Sequence, residues 1–185
     1  MPHILLNTDD PGIVGLFHFR PETAGPLNAL ADVLLCGDST LSRGERELIA
    51  AYVSTLNSCR FCASSHAAFA AAQLPEGMAL VDQVRADPEK APISAKLRAL
   101  LDIAAAVQQG GLTVTDQLVT AARAEGATDV ELHDTVLIAA AFCMYNRYVD
   151  GLATITPEDP AVFDRVAKDI VAHGYTGNFV QPEPR

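Results

Sequence analysis

The chain has 185 residues, enough for one full-sized domain with a real core or at most two small subdomains. Its formal net charge is −10, with 13 Lys and Arg against 23 Asp and Glu and no basic run. That balance argues against nucleic acid or an anionic membrane as the main partner, since both require a basic patch. Hydrophobic residues make up 49% and aromatics 6%, with no Trp, so the apolar content is mostly Ala, Leu, Val and Ile and suits close-packed helices.

A mean hydropathy of +0.17 is high for a soluble chain and points to apolar surface reserved for a subunit interface. The first twenty residues lack a basic start followed by an apolar core, and the longest apolar stretch, residues 136–145, is too short to span a bilayer. The expectation is a soluble, cytoplasmic homo-oligomer.

Helix signals recur along the chain and strand signals do not. Residues 22–35 read as a first helix, with Pro26 in its opening turn and Gly37 at its end. Ser42 and Glu45 form a capping box that opens a second helix through about Thr55, its apolar side carrying Leu48, Ile49, Tyr52, Val53 and Leu56. After a break at Asn57 and Ser58, an Ala-rich third helix runs from Cys59 to Gln73 and stops before Pro75.

The polar link from Asp87 to Pro92 is the best candidate for a boundary between two lobes. Ser94 then caps a helix that ends at Gly110 and Gly111, and Thr113 or Thr115 starts a shorter one closed by Gly126. Thr128 and Glu131 make a second capping box, opening a helix over 130–151. Its middle, 136–144, is apolar all round and is expected to be the most buried element. A last helix runs over 160–172, before a tail containing Gly174, Gly177, Pro182 and Pro184. The two boxes, one in each half, hint at a weak internal duplication.

The chemistry concentrates at Cys59-Arg60-Phe61-Cys62, followed by His66 and preceded by Glu47 one helix earlier. On a helix Cys62 and His66 share a face, which puts a base beside a thiol. Cys59 falls at or near the helix N-terminus, where unpaired amides favour a thiolate. Two activatable thiols two residues apart can close a reducible disulfide, and a carboxylate at Glu47 can orient the imidazole. The helix terminus favours Cys59 as nucleophile, whereas His66 favours Cys62; a base within reach accepts the proton as well as supplying a field, and so weighs toward Cys62. Cys36 and Cys143 read as buried small hydrophobes.

The pattern of Glu47, Cys59-x-x-Cys62 and His66 on consecutive helices resembles the core of the AhpD-like alkylhydroperoxidases within the carboxymuconolactone decarboxylase superfamily. The length and the segment from Phe142 to Asp150 are similar to the group called peroxidase-related proteins. The resemblance covers about residues 20–155 of a single domain spanning 1–185, with the last helix and tail at 156–185. It implies an all-α orthogonal bundle of about six to eight helices, trimers or hexamers, Cys62 as the peroxidatic thiol, Cys59 as the resolving thiol, and Glu47 and His66 as a proton relay. It also implies a small-molecule hydroperoxide substrate and an external dithiol reductant, lipoyl or thioredoxin-like, with no metal or cofactor. Some members place a His immediately before the second cysteine, where this chain has Phe61.

Two alternatives stand beside this reading. One keeps the fold but performs lactone decarboxylation or another carbon-acid step with a Glu and a His. The other is a non-catalytic, redox-sensing or zinc-stabilised assembly module, zinc taking Cys59, Cys62 and His66 with a fourth ligand such as His133 or Cys143. His133 itself reads as a polar surface residue, and Asn146 and Arg147 as groups seeking a subunit or helix-end partner.

Overall fold

The computed structural model describes residues 1–177; Pro182 and Pro184 lie outside them. Nine α-helices and no strand occur among the described residues. They are α1 (Gly12–Phe19), α2 (Pro21–Cys36), α3 (Arg43–Leu56), α4 (Arg60–Ala71), α5 (Gly77–Ala86), α6 (Ala95–Gln109), α7 (Asp116–Ala124), α8 (Asp129–Gly151) and α9 (Pro160–Gly177), with one 3-10 turn at Gly111–Thr113.

Local chemistry sets the helix starts. Ser42 Oγ accepts from the Glu45 amide at 3.2 Å while Glu45 Oε2 accepts from the Ser42 amide at 2.8 Å. Thr128 and Glu131 repeat this reciprocal pair at 3.2 and 2.8 Å. Ser94 caps α6 and Thr115, not Thr113, caps α7. Thr113 belongs instead to the 3-10 turn.

α3 is the spine. Every residue from Glu47 to Ser54 is buried, and the helix packs against α2, α4, α5, α6 and α8. Leu48, Ile49, Leu100, Leu101, Ile103, Ile138 and Phe142 are among its fully buried partners and members in one continuous core. Side chains from both sides of the 87–92 link join that core.

Three expectations require correction. The described residues hold nine helices against the expected about six to eight, because α1 and α5 carry no side-chain N-cap and begin at glycines. Pro26 lies inside α2, which starts at Pro21. α8 is not the most buried element: Thr135, Ile138, Ala139, Phe142, Tyr145, Asn146 and Val149 face inward at helical spacing, while Val130, Leu137 and Met144 make an exposed stripe seven residues apart. A helix apolar on every side here serves a core with one face and solvent with the other.

No helix among the described residues is long and apolar enough to cross a membrane.

Candidate active site

The turn between α3 and α4 sets the site. Ser58 takes a left-handed conformation, φ 60°, and turns the chain back so that the Cys59 amide donates to Ser54 O at 3.0 Å. Cys59 is thereby the N-cap of α4, with extended backbone (φ −79°, ψ 97°) and no exposed surface. Cys62 lies in the first turn and is 4% exposed. Both cysteines are free thiols.

The two sulfurs are unlike. Cys59 donates its S–H to Cys62, and this bond is the largest influence lowering the Cys62 pKa below that of an ordinary thiol. It prevails over burial, helped by the nearby His66 and a hydrogen bond from Asn146, while Asp150 opposes. The same S–H bond, followed by burial, drives the Cys59 thiol in the opposite direction. Position at the helix terminus would activate Cys59, but as the donor of that bond it holds its proton. Of the two, Cys62 is the thiol shifted toward its charged form.

One turn on, His66 Nδ1 lies 2.7 Å from Glu47 Oε2, with Glu47 1% exposed. A buried carboxylate accepting from Nδ1–H fixes the tautomer and leaves Nε2 as the nitrogen free to accept a proton. Phe142 and Phe69 present their rings edge-on to the imidazole, with centroids at 4.4 and 5.2 Å, and hold its plane. All four sequence-predicted residues, Glu47, Cys59, Cys62 and His66, thus sit on α3 and the start of α4, joined by hydrogen bonds and charge.

Two further residues belong to the arrangement. Tyr175, near the end of α9, donates to Glu47 Oε1 at 2.7 Å. Asn146 is buried beside Cys62 and is locked by Asn57 and Ser54. The inward-facing spacing of α8 was the signal that could have placed Asn146; for Tyr175, beyond a glycine in an expected tail, the sequence holds none.

The other candidates lie elsewhere. His133 is exposed and pairs with Asp134, and Arg147 is exposed and donates to Cys143 O. Arg60 points into solvent at the helix start. Cys36 and Cys143 are half-buried rather than buried: Arg43 donates to the sulfur of Cys36, while Cys143 packs against the core. Among the described residues no group of three or more His, Cys, Asp or Glu is placed to hold a metal ion.

A cavity of about 350 Å³ adjoins His66, walled mostly by apolar side chains of α1 and α9. His66, Phe61, Phe69 and Tyr175 contribute to its lining; of the described residues, neither Cys59 nor Cys62 does. Ile13 and Phe61 border both the cavity and the small cluster of Cys59, Cys62 and Val149, and so form the partition between them. Phe61 lies against Gly12 so closely that a Cβ on Gly12 would overlap its ring, and it meets Phe163 edge-on at 6.1 Å.

Two solved structures resemble this arrangement of helices. The AhpD core of an uncharacterized peroxidase-related protein from Ralstonia eutropha JMP134 is 28% identical with a TM-score of 0.75, the match covering 85% of this chain and 81% of that one. An uncharacterized peroxidase-related protein from Silicibacter sp. TM1040 is also 28% identical, with a TM-score of 0.73 and coverage of 80% and 77%. No curated protein matches the chain. The carboxymuconolactone decarboxylase family matches residues 21–74 and 75–156, which takes in α2 through α8 and every thiol of the site. With that match across most of its length and an AhpD-like helical fold around the paired thiols, the chain belongs to the carboxymuconolactone decarboxylase family, on its AhpD-like side.

Proposed function

We propose that this protein is an antioxidant dithiol peroxidase that reduces hydrogen peroxide or organic hydroperoxides. The observation that carries the reading is geometric: two free, buried thiols, Cys59 and Cys62, open α4 one turn before His66, whose Nδ1 is held by the buried Glu47 carboxylate at 2.7 Å.

In the reaction His66 Nε2 takes the Cys62 proton and the thiolate attacks the terminal oxygen of ROOH. The O–O bond breaks, the Cys62 sulfur is oxidised to sulfenic acid, and the alkoxide leaves as alcohol with the proton from His66. The Cys59 sulfur then attacks that of Cys62. The S–O bond breaks, hydroxide leaves as water with the Cys59 proton, and the disulfide forms. An external dithiol, lipoyl or thioredoxin-like, returns both cysteines to thiols and is itself oxidised. The apolar cavity favours hydroperoxides with a hydrocarbon body. Self-association is part of the same proposal, with the Val130, Leu137 and Met144 stripe as available surface.

One observation favours a second reading, an acid-base step on a carbon acid: the cavity meets His66 and not the thiols. A thiol count of the reduced protein before and after one equivalent of cumene hydroperoxide separates the two. Loss of two thiols with a Cys59–Cys62 disulfide supports the peroxidase. Unchanged thiols overturn it and leave the carbon-acid reading.

A further inference from the structure

The last helix ends in a construction that the thiol chemistry described above does not by itself require. α9 breaks at Gly174, whose backbone (φ 69°, ψ −169°) lies outside the range open to residues with a side chain. A Cβ there would collide with Asp32 Oδ1. The same oxygen accepts the Tyr175 amide at 2.7 Å. Arg43 reaches from α3 to the last turn before the break and donates to Ile170 O at 3.1 Å and Val171 O at 3.2 Å. Two elements, α2 and α3, thus fix the residue that follows the break.

That residue turns inward. Tyr175 Oη donates to Glu47 Oε1 at 2.7 Å, on the carboxylate whose other oxygen accepts His66 Nδ1 at 2.7 Å. Its ring lies nearly parallel to the imidazole, 18° between planes at a centroid distance of 6.3 Å, and Phe69 meets it edge-on. Tyr175 lies on the last helix, outside both stretches that match the family.

We infer that Tyr175 is a positioning residue for the proton relay: its hydroxyl fixes the Glu47 carboxylate and withdraws part of its charge, and so sets how strongly His66 draws Cys62 toward thiolate. The assignment rests on Glu47 and His66 acting as the relay. A hydroxyl donating to a carboxylate disperses its charge, and a carboxylate stripped of that donor pulls harder on the proton of its other partner. Burial, then the Glu47 charge, push the Tyr175 phenol well above its usual range, so it remains a donor.

The charged and titratable neighbours are few and come from four helices. Asp32 and Cys36 face the phenol region from α2 and Arg43 from α3, while Cys59 and Cys62 lie on the α4 side and Asp150 acts on Cys62 from α8. None of them donates to Glu47 in place of the phenol: within the described residues the hydrogen bonds to its carboxylate are those from His66 and Tyr175.

The test is the ultraviolet thiolate titration of Cys62 in the full reduced chain, read as the difference between each protein and its Cys62→Ser counterpart. Tyr175→Phe keeps the ring and its packing and removes the donor. Its expected effect is to move the Cys62 midpoint to lower pH by about half a unit and to shift the His66 Nδ1–H proton resonance downfield as the bond to Glu47 tightens. Asp32→Ala, which releases the Tyr175 amide, should move both in the same direction, whereas Asp32→Asn, which keeps an acceptor oxygen, should stay near wild type. An unchanged or raised midpoint in a Tyr175→Phe protein that melts cooperatively would overturn the assignment. These readings need no hydroperoxide, so failure of the wild-type protein to consume cumene hydroperoxide would count against the peroxidase reading alone.

Discussion

Asn146 Oδ1 accepts a hydrogen bond from Asn57 Nδ2 at 2.8 Å, and this contact decides which way the Asn146 amide faces. Gln108 Nε2 donates to Asn57 Oδ1 at 3.0 Å, so Asn57 must present its NH2 group to Asn146. Asn146 must then turn its own NH2 group away, toward Ser54 Oγ at 3.0 Å and toward Cys62. A run of three amides ends beside Cys62.

Replacing Asn146 by Ala removes a donor from Cys62 and leaves Asn57 and Ser54 short of a buried partner. The Cys62 midpoint should rise by about half a unit to one unit, and the unfolding free energy should fall by about 1–3 kcal/mol. Thiolate titration and urea unfolding measure the two effects. A variant that loses stability with no change in the midpoint would restrict Asn146 to packing.

Cys59 matters to Cys62 before any disulfide forms. Its S–H bond is the first cause of the lowered Cys62 pKa, so Cys59→Ala should raise the Cys62 midpoint by more than Asn146→Ala does. After hydroperoxide it should also accumulate a Cys62 sulfenic acid that dimedone traps, because no resolving thiol is present. Mass spectrometry of the Cys62 peptide reads the adduct.

Phe61 and Gly12 make a fitted pair. Gly12→Ala forces a Cβ into the Phe61 ring at a left-handed backbone position, φ 56°, and should destabilise by about 1–3 kcal/mol. Phe61→Ala leaves part of the partition between cavity and thiols open. It should cost about 2 kcal/mol, less than a full core deletion because the ring is half-buried. It should also raise the rate of Cys62 oxidation by cumene hydroperoxide relative to that by hydrogen peroxide, measured in single-turnover thiol loss. An unchanged ratio would mean that the bulky peroxide arrives by another route.

Acid should attack the fold at Glu131. Its burial disfavours the charge, but the Lys96 ammonium at 2.7 Å, the Thr128 amide and the Thr40 hydroxyl prevail and lower its pKa to about 2. The folded state therefore binds fewer protons than the unfolded one at this carboxyl. Its contribution, about 3 kcal/mol, is complete above the unfolded value near pH 4.3 and is lost as pH falls through about 2. Lys96→Ala should remove much of it at neutral pH and flatten the acid limb of the stability curve, followed by circular dichroism melts from pH 7 downward.

The readable parts of this chain were those with a local cause. Ser42, Ser94 and Thr128 announce helix starts because capping is a matter of three or four adjacent residues, and Cys62 with His66 announce a shared face because one helical turn joins them. α5 has no local signature, since Leu80, Val81 and Val84 follow Pro75 and Gly77, whose chemistry suggests a link; its helix is held by tertiary packing on α3 and α4. The exposed stripe of α8 is not legible in its composition, which cannot tell a buried apolar face from one on the outside. Glu47 alone would read as a solvated first-turn carboxylate, and only its distance to His66 shows otherwise. Asn146 and Tyr175 reach the site across 84 and 113 residues from Cys62, a separation at which no spacing rule operates.

Both oxygens of the buried Glu47 carboxylate already receive a proton donor, one from the imidazole and one from the phenol. Each oxygen keeps a further lone pair, but with the carboxylate 1% exposed a substrate proton meets the imidazole first. In the proposed reaction the proton therefore enters and leaves by the outer nitrogen of His66, and this holds whether it comes from sulfur or from carbon.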